Sequence, residues 1–224
     1  MLVRWIACGP VLLAGCAAAT LPPFERVSGE ATRTAVPDPG PTGLQVTARA
    51  VLRRGDTEFA FTLRAVRLLP DRMRVVALDD LGATLFHLVH RGTANELVHC
   101  GRAIPEPLVR DGIGPLLAAW LAPGSESDTT PVRLRSGPLG RLVQQGSRRR
   151  LHWIDATGAR RTALAEDRTM WGELTVQPTD GTPRTAILAG HRPRFTLRLD
   201  VAAWQPTELR AATFDAPADH RPIP

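Results

Sequence analysis

Lysine and tyrosine are absent from this chain of 224 residues, so all 28 of its basic residues are arginine. Cysteines number three and none stands in a Cys-x-x-Cys pair, which excludes a zinc ribbon or a disulfide-stapled scaffold. A chain of this length buries a core without such staples. Three common catalytic signatures are also missing: Gly-x-Ser-x-Gly, His-Glu-x-x-His and a phosphate-cradling glycine loop. No apolar run reaches the roughly 20 residues that a spanning helix needs, and no repeat of fixed period is visible. What is present is ordinary globular usage, with 43% apolar and 22% charged residues, and wholesale disorder is excluded. The arginines outnumber 22 acids to give +6 and a pI near 10.9, pointing to nucleic acid or a phospholipid surface. Codon usage in a GC-rich genome accounts for the choice of arginine over lysine.

The N-terminus narrows the compartment. Met1 to Val3 and the single cation Arg4 precede an apolar stretch from Trp5 to Leu13, the layout of a secretion signal. Leu13-Ala14-Gly15-Cys16 follows, and it resembles the lipobox of bacterial lipoproteins. The resemblance implies cleavage before Cys16 and a diacylglycerol on its sulfur. Removing residues 1–15 leaves 209 residues, at +5 because Arg4 is lost with them. Two or three acyl chains anchor a protein firmly where one does not. Ala17 stands where an aspartate commonly retains lipoproteins at the inner membrane, so outer-membrane anchoring with the domain in the periplasm is expected. Cys8 leaves with the signal, Cys16 becomes a thioether, and Cys100 remains without an intramolecular partner. Export also removes nucleic acid from the partners. Residues 16–43 carry Pro22, Pro23, Pro37, Pro39 and Pro41 and read as a tether with a short ordered piece around Phe24 to Val27. Its extended reach would approach roughly 90 Å.

Residues 44–206 read as one domain and 207–224 as a tail. Leu44, Val46, Ala48, Ala50 and Leu52 alternate with polar or small neighbours, the period-two mark of a half-buried strand. Arg54-Gly55-Asp56 turns the chain, and Phe59, Phe61, Leu63 and Ala65 alternate back. Further strands are expected at Met73–Leu78, Ala83–His90, Leu97–Cys100, Val132–Leu134, Arg141–Gln145, Arg150–Ile154, Trp171–Gln177, Arg184–Leu188 and Arg194–Val201. Between Pro105 and Pro123, the residues Val109, Ile113, Leu116, Leu117, Trp120 and Leu121 recur at helical spacing. Gly112, Gly114 and Pro115 interrupt them, which predicts two short helices with the second starting at Pro115. The fold class is α+β, mainly β: a strongly curved antiparallel sheet with a short helical lid over an apolar interior.

The order of the segments resembles the LolA/LolB family of lipoprotein carriers and receptors in the bacterial envelope. Asp71 to Leu78 followed by Leu81-Gly82-Ala83-Thr84-Leu85-Phe86 matches the strand, Leu-Gly turn and next strand of LolB. Leu117-Ala118-Ala119-Trp120-Leu121 matches that family's Leu-x-x-Trp helix. Phe195 to Val201 with Trp204 matches its last strand and closing tryptophan. The chain is also similar to LolB-like lipoproteins found near polyene and fatty-acid-type biosynthetic genes. The resemblance implies an unclosed, LolB-like half-barrel that binds acyl chains, with Leu81 as a projecting tip that assists membrane insertion. Asp79 and Asp80 beside the tip would resist burial in lipid, so a plain turn leucine is the alternative.

No catalytic residue, metal or cofactor is expected. His87 and His90, three apart on a strand, face opposite sides, and adjacent His99 and Cys100 do likewise. The basic runs Arg148-Arg149-Arg150 and Arg160-Arg161 are candidates for anionic headgroups, since guanidinium forks bind phosphate bidentately; solvated arginines are the alternative. Phe59, Phe61, Leu63, Val76, Leu78, Phe86, Leu88, Leu117, Trp120, Leu197 and Leu199 are the candidate lining of the interior. Two functions remain open on the sequence, with an envelope hydrolase of no familiar motif as a third option. One is an acyl-chain carrier that passes an acylated cargo or lipid to the membrane; the other is a non-catalytic adaptor lipoprotein with a filled core.

Overall fold

A computed structural model of the chain describes residues 19–27, 42–122, 129–167, 169–179, 182–209 and 211–214. The segment read as a signal, Cys16, residues 28–41 and the end of the segment read as a tail lie outside the described residues. Among the described residues thirteen strands form one antiparallel sheet. They are β1 (Phe24–Arg26), β2 (Gly43–Arg54), β3 (Thr57–Leu68), β4 (Arg72–Leu78), β5 (Thr84–Arg91), β6 (Ala94–Cys100), β7 (Thr129–Leu134), β8 (Leu139–Gln145), β9 (Arg148–Ile154), β10 (Arg160–Glu166), β11 (Thr169–Thr179), β12 (Thr182–His191) and β13 (Arg194–Pro206). The order across the sheet is β1-β7-β8-β9-β10-β11-β12-β13-β2-β3-β4-β5-β6. No ladder joins β1 to β6 among the described residues, so the sheet is unclosed, as the resemblance implied.

Alternation drives these strands. On β2 the residues Leu44, Val46, Ala48, Ala50 and Leu52 are all buried, and on β3 so are Phe61, Leu63 and Ala65. Register keeps the buried set on one face: Leu63 pairs Ala77 on β4 and Ala48 on β2. Between β6 and β7 the chain forms one wide helical turn, Leu108–Ile113, continuous with helix α1 (Gly114–Leu121). The Gly114 N–H bonds back to the Val109 carbonyl, five residues earlier. Pro115 explains the widening, because it has no N–H to give Asp111 and its ring crowds that carbonyl. The two helices expected from sequence are therefore one interrupted helix.

That helix curves the sheet. Helix α1 touches β11 on one side and β5 on the other, strands six places apart in the sheet. A flat sheet would separate them by about 29 Å at ~4.8 Å per strand, more than twice a helix diameter of about 10–12 Å. The sheet must wrap around the helix to meet it from both sides.

One strand escaped the sequence reading. On β10 the consecutive residues Thr162, Ala163, Leu164 and Ala165 are all buried, so no alternation marks it. Leu164 joins the main core, while Ala163 belongs to a second cluster with Val132, Leu142 and Leu151 on the outer face. Leu21, Phe24, Trp153 and Met170 pack against that second cluster. The short ordered piece expected around Phe24 to Val27 is strand β1, paired to β7 from Phe24 opposite Leu134 to Arg26 opposite Val132. Residues 19–27 are thus a strap across the back of the sheet. Part of the segment read as a tail packs on the domain. Phe214 in the 3-10 turn Ala211–Phe214 is fully buried, its carbonyl accepts from Arg91, and the Thr213 carbonyl accepts from Arg74 at 2.9 Å.

The β4–β5 and β9–β10 connections are the same Asp-x-x-Gly-Ala turn. Asp79 Oδ1 accepts from the N–H groups of Leu81 and Ala83 at 3.0 and 2.8 Å, and Asp155 Oδ1 accepts from Thr157 and Ala159 at 2.9 and 3.1 Å. Gly82 and Gly158, at φ of 83° and 81°, close them in the left-handed region where a Cβ is strained. The Thr157 hydroxyl and the Arg161 guanidinium both donate to Asp155 and hold its carboxyl well below the usual carboxylate range. A depressed carboxyl stabilises the fold fully above its unfolded pKa of about 3.9 and loses that contribution as pH falls toward its folded value. Asp155→Asn is therefore expected to cost stability at pH 7. The gap to wild type should shrink steadily below about pH 4, as read from urea unfolding across pH.

Candidate functional site

The interior of the curved sheet is apolar and covered by the helical segment. Ile104, Leu108, Val109, Ile113, Leu116, Leu117 and Leu121 point into the main core, each at most 3% exposed. Close approach is purchased with glycine. A Cβ at Gly172 on β11 would lie 3.0 Å from Leu116, and one at Gly190 on β12 would lie 2.1 Å from the ring of Phe195. The same ring stands 2.9 Å from where a Cβ of Gly112 in the helical turn would be. Phe195 is thus a pillar between sheet and lid.

One buried cation ties the far end of the lid. Arg67, 3% exposed on β3, donates through Nη1 to the carbonyl of Leu121 at 3.3 Å, the last residue of α1. Its guanidinium carbon sits 5.6 Å from the ring centre of Trp204 on β13, and Trp204 stacks at 5.8 Å against Trp120 of the lid. Cations at helix C-termini are favourable, because the last carbonyls lack intrahelical donors. Arg67 was missed by the sequence reading, although a signal existed. It continues the inward series Phe61, Leu63, Ala65, and a charge at an inward position needs a partner.

The expected lining residues divide. Phe61, Leu63, Phe86, Leu88, Leu117, Leu197 and Leu199 are wholly buried in the main core, with Phe61 and Phe86 edge-to-face at 6.0 Å. Phe59 and Trp120 are partly buried against it. Val76 and Leu78 are corrected. Val76 pairs Arg64 and Leu78 pairs Thr62 on the outer face, while Met73, Val75 and Ala77 carry the inward parity of β4. The stretch Met73–Leu78 is apolar on both faces, so composition does not reveal its parity. With the lid in place these side chains fill the interior. A cleft of about 150 Å³ opens at the rim, lined by Leu52, Arg54, Thr57, Phe59, Ala103, Ile104, Pro105 and Leu108.

Leu81 projects from its turn with 95% of its surface exposed. The twin turn has Thr157 at this position, folded back on Asp155 by its hydroxyl, and leucine has no such bond to make. Asp79 is spent on the backbone, which leaves Asp80 as the exposed carboxylate beside the tip. Leu81→Glu is expected to change stability by less than about 0.5 kcal/mol, as for surface sites generally. A loss of cargo delivery in vivo at unchanged Tm would mark the tip as functional, and normal delivery would make it a turn residue only.

The three arginines do not form one patch. Strand alternation sends Arg148 and Arg150 to one face and Arg149 to the other, opposite Glu166, Leu164 and Ala165 respectively. Cys100 donates its thiol to the Ile104 carbonyl at 3.2 Å, and burial pushes its pKa up, the behaviour of an inert thiol. His87 lies on the outer face, bonded by Arg74 at 2.7 Å, whereas His90 is buried inside against Asn95. Among the described residues no group of three or more His, Cys, Asp or Glu is gathered to hold a metal.

This fold, an unclosed antiparallel sheet wrapped round its own helix, is shared with a solved structure. The chain is similar to a LolA superfamily protein from Nitrosomonas europaea at a TM-score of 0.55 and 11% identity, over 79% of this chain and 91% of that one. It also aligns with a Vibrio parahaemolyticus domain described as an outer membrane lipoprotein-sorting protein, at a TM-score of 0.47 and 13% identity over 77% and 89% of the two chains. No protein-family model and no curated protein matches the sequence.

Proposed function

We propose that this protein is an envelope lipoprotein, anchored through Cys16 in the outer membrane, which takes acyl chains of a lipoprotein or lipid-like product into its interior and passes them to the membrane. The observation that carries the reading is the lid. The apolar face is covered by one short interrupted helix, and its free end is tied by a single buried cation, Arg67. The rim cleft, at about 150 Å³, is about half the ~300 Å³ at which ligand pockets begin, so in the reading proposed this cleft admits a chain as the lid lifts. A sixteen-carbon chain gains on the order of 10 kcal/mol on burial, while the lid's seven large aliphatic side chains gain roughly 10–20 kcal/mol by the same measure. The lid therefore competes with any chain it admits, which favours release.

The filled interior favours a second reading, an adaptor lipoprotein that uses its surface alone. Native mass spectrometry of the purified domain, with Cys16 removed, separates the two. Co-purified lipid and saturable binding of a fluorescent fatty acid are expected of the carrier. A lipid-free protein that binds no fatty acid would establish the adaptor.

A further inference from the structure

The strap across the back of the sheet determines which end of the half-barrel faces the bilayer. It starts at Ala19, whose carbonyl accepts from the Met170 N–H at 2.8 Å, while Thr20 bridges Thr169 at the start of β11. From there it crosses outside β7–β10, with Leu21 and Phe24 on the second apolar cluster. It is held at its far side by the Arg135 N–H to the Pro23 carbonyl, 2.9 Å, and by the β1–β7 ladder. Ala19 therefore sits at the β10–β11 turn. This turn abuts the β8–β9 turn, since the Asp167 N–H donates to the Ser147 carbonyl at 2.7 Å.

Only Ala17 and Ala18 separate Ala19 from Cys16. At about 3.6 Å per residue, a lipidated Cys16 lies within about 11 Å of the docked chain, so the domain has no long leash. We infer that the β8–β9 and β10–β11 turns, around Gly146–Ser147 and Glu166–Asp167, face the phospholipid leaflet. The β7–β8 and β9–β10 turns at the other ends of the same strands face away. Arg148 is exposed at this end and can meet phosphates. Glu166 and Asp167 beside it offset its charge, so the leash and not a basic patch sets the orientation. The inference rests on the anchor reading of Cys16.

The test couples the chain beginning at Cys16 through its thiol to a maleimide-headgroup lipid in phosphatidylethanolamine–phosphatidylglycerol vesicles. Cys100→Ser prevents a second coupling. Hydrogen exchange is then compared with the uncoupled protein. Exchange is expected to slow roughly fivefold at residues 145–148 and 166–167 and to stay unchanged at 135–138 and 155–159. Slowing at the second pair of turns, or at neither, overturns the inference. A spacer of about 20 Gly/Ser residues between Ala18 and Ala19 adds a reach of roughly 25 Å without touching a packed side chain. It should abolish the slowing; protection that persists would overturn the leash. A mass measurement of the membrane-extracted protein tests the anchor separately. An unacylated Cys16 removes the anchor and the orientation's role in the cell, whereas acylation with no protected end removes the orientation alone.

Discussion

Arg67→Ala is expected to lower stability by about 2–4 kcal/mol and to raise the affinity of the soluble domain for a fluorescent fatty acid. The substitution takes the donor from the Leu121 carbonyl at the end of α1, removes the cation from the face of Trp204 and leaves a void beside it. Orphaned carbonyl, lost cation and cavity all act in one direction. In a chain of this size about 2–4 °C of Tm is lost per kcal/mol, so a fall of roughly 5–15 °C should be seen by calorimetry. Arg67→Met separates packing from tethering. It restores most of the volume, so Tm should recover in part, but it makes no bond to the lid, so fatty-acid affinity should stay high. If both variants bind the probe like wild type, Arg67 is a packing residue and the lid is held elsewhere.

Gly190→Val is expected to cost more than about 3 kcal/mol, because a Cβ there would lie 2.1 Å from one ring carbon of Phe195 and 2.5 Å from another. Phe195 cannot retreat, since the helical turn at Gly112 closes over its other side. The exchange would normally favour valine in a strand, which makes the sign of the result informative. Adding Phe195→Ala should recover part of the loss, with a coupling energy of at least about 1 kcal/mol in a double-mutant cycle. Additive costs would show that the ring does not stand where Gly190 requires it.

Both predictions concern features that the sequence conceals. Strands with one wet face, such as β2 and β3, are legible because burial and exposure alternate with the pleat. The last strand is legible too, from Phe195, Leu197 and Leu199. β10 is illegible because covering its back erases the alternation, and that cover, the strap, comes from more than a hundred residues earlier. β4 is located correctly but its parity is not, since Val75 and Val76 suit either face. The interrupted helix shows clearly as a breaker-rich apolar stretch. Its place inside the barrel does not, because helix periodicity says which side is apolar and nothing about what covers it.

The sequence by itself determined the mainly antiparallel architecture, the position of the lid segment, the exposed-turn context of Leu81 and the lone, disulfide-free state of Cys100 within the described domain. These follow from local rules: the two- and 3.6-residue periods, turn chemistry and cysteine count. Only the tertiary structure decided that the lid fills the interior, that Arg67 ties it down, and that the proline-rich N-terminal segment begins as a strap. Each of those is a pairing across tens of residues or more, Arg67 with Leu121 or Ala19 with Met170. Neither partner carries a local mark of the other, because the contact exists only after the sheet has curved to bring them together.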